Sequence, residues 1–115
     1  MKEFVMIFRN NTVGEIPLTP EGTLVVSKEW QDWMSGFAAQ GKLVNPGARL
    51  GNEGRTVEPG NVITSGPYAE IKEIIGGLTI IRAESLEEAT GIAKGCPGLN
   101  FGGNVEVREV IPMNG

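Results

Sequence analysis

Residues 63–78, with the sequence ITSGPYAEIKEIIGGL, break one apolar strand at a Gly-Pro pair and lead into another. Pro67 lacks an N–H and has a fixed φ, so it suits the first position of a short helical turn. Ser65 can cap that turn with its side-chain oxygen. Gly76 and Gly77 are expected to leave the turn in a left-handed conformation before the next strand starts. The stretch predicts a rigid corner between two strands.

Strands are predicted on both sides of this corner. Continuous apolar runs at residues 4–8 and 78–82 are typical of strands that are covered on both faces. Residues 105–108 alternate as a strand with one wet face. Between these, residues 43–50 form a strand in which Pro46 indicates an edge position or a bulge. Two short strands follow and form a hairpin, at residues 55–57 and 61–64.

Two segments carry apolar side chains at helical spacing. The first covers residues 20–40, where Gly36 is a mild cost that close packing on a neighbour would explain. The second begins with a capping box, in which Ser85 and Glu88 each bond the other's backbone N–H. It is expected to stop at Pro97. The order of elements predicts an α+β fold, a ferredoxin-like βαββαβ pattern with an embellished middle.

The predicted sheet has more apolar surface than two helices can cover. Two helices shield one face, yet the strands at residues 4–8 and 78–82 are apolar on both. At this chain length a second copy is the simplest cover for the other face. We therefore expect a homodimer with isologous contacts between the two sheets.

The length and composition of the chain limit the classes of protein to which it can belong. A chain of 115 residues predicts a single domain, residues 1–115. The net charge of −4 disfavours direct binding to nucleic acid. The sequence contains no histidine, which removes Ser-His, Cys-His and His-metal mechanisms, and no metal or cofactor is expected. The N-terminal apolar run is too short for a signal peptide or a membrane span, so we expect a cytoplasmic protein.

The corner carries a family resemblance. Residues 64–73, TSGPYAEIKE, resemble the "DGPF" signature of the YCII-related family, written Asp-Gly-Pro-Phe-Ala-Glu-x-Lys-Glu and followed by Gly-Gly. The resemblance continues through nearly the whole chain. It includes Trp30-x-x-Trp33, the acidic capped helix that precedes Cys96-Pro97, and the closing segment 105–110.

The resemblance implies a dimeric α/β barrel of ferredoxin-like protomers, each with a cleft between sheet and helices. Some members of the family carry a His and Asp pair there as catalytic groups, and others are linked to sigma-type transcription factors. This chain departs from that pattern. It has no histidine, Ser65 stands for the Asp and Tyr68 for the Phe of the signature, and Cys96-Pro97 stands where the other branch tends to have Asp-Pro.

Six residues are candidates for a ligand site. Those on the corner either line a pocket or form a solvated turn, and a desolvated carboxylate there is a candidate general base. An arginine beside the hairpin offers bidentate contacts to an anion, the alternative being an ordinary surface arginine. The six candidates are Arg49, Ser65, Tyr68, Glu70, Lys72 and Glu73.

Three functions remain open at this point. The first is a non-catalytic homodimer that binds a small molecule or regulates, with a protein partner in transcription. The second is a small enzyme of lyase, isomerase or hydrolase type that uses Glu70 or Glu73 with Tyr68. The third is a protein-interaction module, which predicts a large apolar patch that stays exposed after dimerisation. No catalytic residue is assigned, and no contact with a membrane is expected.

Overall fold

The computed structural model describes residues 1–9, 20–51, 53–65 and 75–113. Its elements in chain order are β1 (Lys2–Arg9), α1 (Pro20–Ala39), β2 (Leu43–Arg49), β3 (Arg55–Glu58), β4 (Val62–Ser65), β5 (Ile75–Ala83), α2 (Leu86–Ala93), a 3-10 turn (Pro97–Phe101) and β6 (Asn104–Glu109). One antiparallel sheet has the strand order β2-β5-β1-β6, and β3 pairs with β4 in a separate hairpin. This is the predicted ferredoxin-like α+β fold, with the hairpin inserted in its middle.

The hydrophobic core lies between one face of the sheet and the two helices. The alternation of β1 directs Phe4, Met6 and Phe8 to this face, and the register with β5 places Ile81 opposite Phe4. Burying a side chain of this size contributes about 1.5–3 kcal/mol. The buried members of the core are Phe4, Met6, Phe8, Phe37, Ile81, Ala83, Ala89, Ala93 and Cys96.

The opposite face of the sheet carries the second apolar set that the sequence predicts. Val5 and Ile7 of β1 lie opposite Ile80 and Leu78 of β5, and all four are half-buried. None of them belongs to the core beneath the helices. We call this surface, centred on these four side chains, the open face.

Strand β2 is an irregular edge strand. Its register with β5 shifts twice between Leu43 and Ala48. Within this stretch Gly47 has φ +73, and a Cβ there would lie 1.8 Å from the carbonyl oxygen of Leu78. Thr79 Oγ1 donates to the carbonyl oxygen of Pro46 at 3.1 Å, in place of a regular ladder bond. The edge position and the bulge predicted from Pro46 are confirmed.

The prediction for Gly76 and Gly77 is wrong. Both lie inside β5, and neither has a positive φ. A Cβ on Gly77 would lie 2.9 Å from the carbonyl oxygen of Ala48, and the N–H of Leu50 donates to Gly76 O at 2.8 Å. These glycines therefore let β2 approach β5 closely, and β5 begins before them, at Ile75.

The N-terminus of α2 shows half of the predicted capping box. Ser85 has extended φ and ψ, and its Oγ accepts from the N–H of Glu88 at 3.2 Å, a cap that contributes about 1 kcal/mol. The carboxylate of Glu88 does not return to Ser85. Its Oε1 lies 3.1 Å from Nζ of Lys42, and both side chains are half-buried. Glu88 therefore pairs with Lys42, directly before β2, instead of completing the capping box.

Helix α2 ends at Ala93, before the predicted stop at Pro97. The next residues form hydrogen bonds of the 3-10 type, in which each N–H bonds the carbonyl oxygen three residues earlier. Gly95 N donates to Ile92 O at 3.1 Å, and Cys96 N donates to Ala93 O at 3.0 Å. Pro97 then opens the 3-10 turn, where its missing N–H costs nothing. Sequence periodicity continues through this stretch, so it does not reveal the change of helix type.

Gly36 does not pack against a neighbour. A Cβ built there meets no atom within 4 Å, and the residue is exposed on α1. The close-packing explanation is wrong, and the glycine only costs backbone entropy.

The two glycines form a matched pair for a stability measurement. We expect Gly47→Ala to lower the free energy of unfolding by about 2–4 kcal/mol, because the new Cβ is strained at positive φ and displaces β2 from Leu78. Gly36→Ala should raise it by up to about 1 kcal/mol. Urea denaturation monitored by tryptophan fluorescence measures both, and similar values for the two variants would contradict this account of β2.

Candidate functional site

The structure describes two of the six predicted site residues. Arg49 is the last residue of β2, and Ser65 is the last residue of β4, where its backbone pairs with Arg55. Tyr68, Glu70, Lys72 and Glu73 lie outside the described residues, as does the predicted helical turn. The grouping of the six therefore stays a prediction.

One end of the sheet collects the parts of the candidate site that are described. Because neighbouring strands are antiparallel, β1 and β2 finish where β5 and β6 begin. Residues 66–74 separate β4 from β5 in the sequence, and β5 begins at this end with Ile75. Arg49 lies at the same end, because it pairs with Gly77 near the start of β5. We call this region the site end.

Arg49 has no charge partner among the residues that the structure describes. Its residue is exposed, and no side-chain hydrogen bond or ion pair involves it within the described ranges. The register places Arg49, Gly77 and Phe8 in one row across the sheet, on the face that the helices cover. A guanidinium in this position is available to bind a carboxylate or a phosphate by two parallel hydrogen bonds.

A second arginine at the site end is already paired. Arg9 ends β1 on the open face, and its Nη1 lies 2.6 Å from Oε1 of Glu106 on β6. Nε of Arg108 lies 3.9 Å from the other oxygen of the same carboxylate. None of these residues is among the six predicted site residues. Their signal is the alternation of β6, which places Glu106 and Arg108 on its wet face.

Aromatic rings form the floor beneath the site end. Phe8 contacts Trp30 and Trp33 edge to face at centroid distances of 5.2 and 6.0 Å, and Trp33 contacts Phe37 at 5.2 Å. The indole N–H of Trp33 donates to the carbonyl oxygen of Ile92 at 3.0 Å, which ties α1 to α2. Such ring pairs contribute about 0.5–1.5 kcal/mol each beyond the area they bury. Both tryptophans therefore pack against the core.

The thiol of Cys96 is buried in this floor. Burial raises the pKa of this thiol above its ordinary value, and hydrogen bonds from the backbone N–H groups of Gly98 and Leu99 oppose this shift without cancelling it. At neutral pH the group is a protonated thiol and a weak nucleophile.

The described ranges contain no metal-binding cluster. Nowhere in residues 1–9, 20–51, 53–65 and 75–113 do three or more cysteine, aspartate or glutamate side chains converge to hold an ion. Of the helices in these ranges, none is long and apolar enough to cross a membrane.

The topology and the open face define a small ferredoxin-like α+β domain whose helices cover one side of the sheet. The sequence matches the YCII-related domain over residues 4–114, and the chain belongs to that family. No curated protein matches the sequence significantly. The family resemblance read from the corner and from the flanking motifs is confirmed.

The reactivity of Cys96 reports on the packing of the aromatic floor. We expect the native protein to react with iodoacetamide at pH 8 at least about tenfold more slowly than the urea-unfolded chain, because burial limits access to the thiol and also raises its pKa, which lowers the fraction of reactive thiolate. Mass spectrometry of timed samples gives both rates. Equal rates would mean that the thiol is accessible in the folded protein.

Proposed function

We propose that the protein is a homodimer that binds a small anionic molecule at the site end and catalyses no reaction on it. The open face supports the homodimer. It presents Val5, Ile7, Leu78 and Ile80 on the side of the sheet that neither helix covers. A contiguous aliphatic surface at the centre of a sheet favours association, since its removal from water is favourable by about 25 cal/mol per Å².

The charges around the open face suit a contact between two identical copies. The strand registers place three arginines and two glutamates on this face, whereas the whole chain has a net charge of −4. An isologous contact brings one patch against itself, so a patch of mixed sign meets less repulsion than a purely acidic one. These residues are Glu3, Arg9, Arg82, Glu106 and Arg108.

Arg49 supports an anionic ligand. Its guanidinium has no partner in the described part of the chain, and β5, which in the sequence directly follows the segment with four of the predicted ligand-binding residues, begins at the same end. A bound carboxylate or phosphate would supply the missing charge partner.

The proposal that no reaction is catalysed rests on the acid and base side chains that the sequence lacks. The chain has no histidine, and Ser65 stands where the family signature has a carboxylate. The alternative enzyme would depend on Tyr68, Glu70 and Glu73, and no contact in the described residues favours it. A protein partner in transcription stays a prediction of the resemblance.

The homodimer predicts a defined response to a charge on the open face. We expect light scattering coupled to size exclusion to give twice the monomer mass for the natural chain and the monomer mass for Ile80→Asp, because the carboxylate would be buried between two aliphatic surfaces. Leu24→Asp is the control, since Leu24 is 70% exposed on α1 and is not on the open face. A monomer at about 50 μM natural protein would contradict the proposal.

Anion binding predicts a stabilisation that depends on Arg49. We expect about 20 mM inorganic phosphate or succinate to raise the Tm by at least about 3 °C, since a ligand at many times its Kd stabilises by about 2–3 kcal/mol. Arg49→Gln should remove this shift. Lys2→Gln, which loses the same charge at the other end of the sheet, should keep it. An equal shift in all three proteins, or none in the natural chain, would overturn the anion site.

A further inference from the structure

The β3–β4 hairpin, residues 55–65, packs little against the other described helices and strands. Its strands pair with each other from Arg55–Ser65 to Glu58–Val62, and positive φ angles at Gly60 and Asn61 make the turn between them. Neither strand forms more than marginal contacts with any other helix or strand of the described chain. An isolated two-stranded hairpin is at best marginally stable in water. We call this hairpin the arm.

A hairpin that packs on its own domain buries its aliphatic face, but the arm leaves its aliphatic face exposed. Val57 lies directly opposite Ile63, and these side chains are 65% and 64% exposed. The other face carries the Thr56–Thr64 pair, in which Thr56 is half-buried. The Val57–Ile63 pair is therefore directed to solvent. On the other face Thr56 is half-buried, and Glu58, Val62 and Thr64 are exposed.

We infer that the aliphatic face of the arm packs against a second copy of this chain, an inference that rests on the homodimer proposed above. The arm is inserted between β2 and β5, two neighbouring strands of the sheet that carries the open face. It is therefore attached beside the proposed interface. In an isologous dimer each protomer presents one arm and receives the other, so the Val57–Ile63 pair is buried twice.

The size of the open face supports a role for the arm. Four strands at about 4.8 Å spacing, paired over about six residues of about 3.4 Å, outline roughly 400 Å². A stable interface buries about 800 Å² per partner. One face of the arm, four residues long on each strand, outlines roughly 130 Å², and each protomer gains this area twice. The two arms bring the outline of each protomer's contact surface from roughly 400 to roughly 660 Å², and so enlarge the area available to the dimer contact.

The opposite faces of the arm allow a matched test. Ile63→Asp places a carboxylate on the aliphatic face, whereas Val62→Asp places the same group on the other face of the same strand, at a residue that is 53% exposed. Sedimentation velocity over a range of concentrations gives the dimer dissociation constant of each variant. We expect Ile63→Asp to raise this constant at least tenfold and Val62→Asp to change it less than threefold.

A second measurement separates docking on a partner from packing within one chain. Amide hydrogen exchange of residues 56–64 in the natural protein should slow as the concentration rises through the dissociation constant, because the arm is covered only in the dimer. Protection that is already complete in the monomer would overturn the inference.

The outcomes distinguish the two proposals. If the natural chain is a monomer at all concentrations, both the homodimer and the arm contact fail. If it is a dimer whose dissociation constant is unchanged by Ile63→Asp, or is raised equally by Val62→Asp, the arm contact fails and the open face alone forms the dimer. A fall in the thermal stability of monomeric Ile63→Asp would show that the arm packs on its own chain.

Discussion

The pairing of β1 with β5 at the centre of the sheet is the constraint on which the rest of the structure depends. One register aligns Phe4 with Ile81 beneath the helices, and the same register aligns Val5 with Ile80 on the opposite face. A strand that is apolar on both faces needs two covers, and α1 and α2 provide one. The fold of the isolated chain is thus complete on one side of its sheet and incomplete on the other. The proposals for dimerisation follow from this asymmetry.

Most of the fold could be predicted from the sequence, because apolar periodicity reports burial directly. The strands at both ends of the chain, the edge character of β2 and the hairpin all follow from runs of apolar residues and from the positions of proline and glycine. Two of the errors share one cause. Gly76, Gly77 and the end of α2 depend on contacts with residues that are distant in sequence, namely the backbone of β2 and the ring of Trp33 beside Gly95. A local pattern contains no information about such contacts.

The candidate site was predictable to a smaller extent. The corner motif identified the family, and the structure places the adjoining strand ends at one end of the sheet. The sequence could not separate Arg49 from Arg9, although both are arginines at strand ends. The difference is that Glu106 of β6 pairs with Arg9, whereas no carboxylate of the described residues pairs with Arg49. Ion pairs between neighbouring strands depend on strand order and register, so they cannot be identified until the topology of the sheet is known.

The irregular geometry of β2 also limits how copies of this protein can assemble. A regular exposed strand would offer its free N–H and C=O groups to another sheet and permit open-ended, fibril-like stacking. Here Pro46 lacks a donor, the register shifts twice, and the strand at the opposite border ends in the charged residues Glu106, Arg108 and Glu109. Both borders of the sheet are thereby poor templates for strand addition. Growth by edge pairing is therefore disfavoured, whereas the proposed association through the open face would stop at a closed pair.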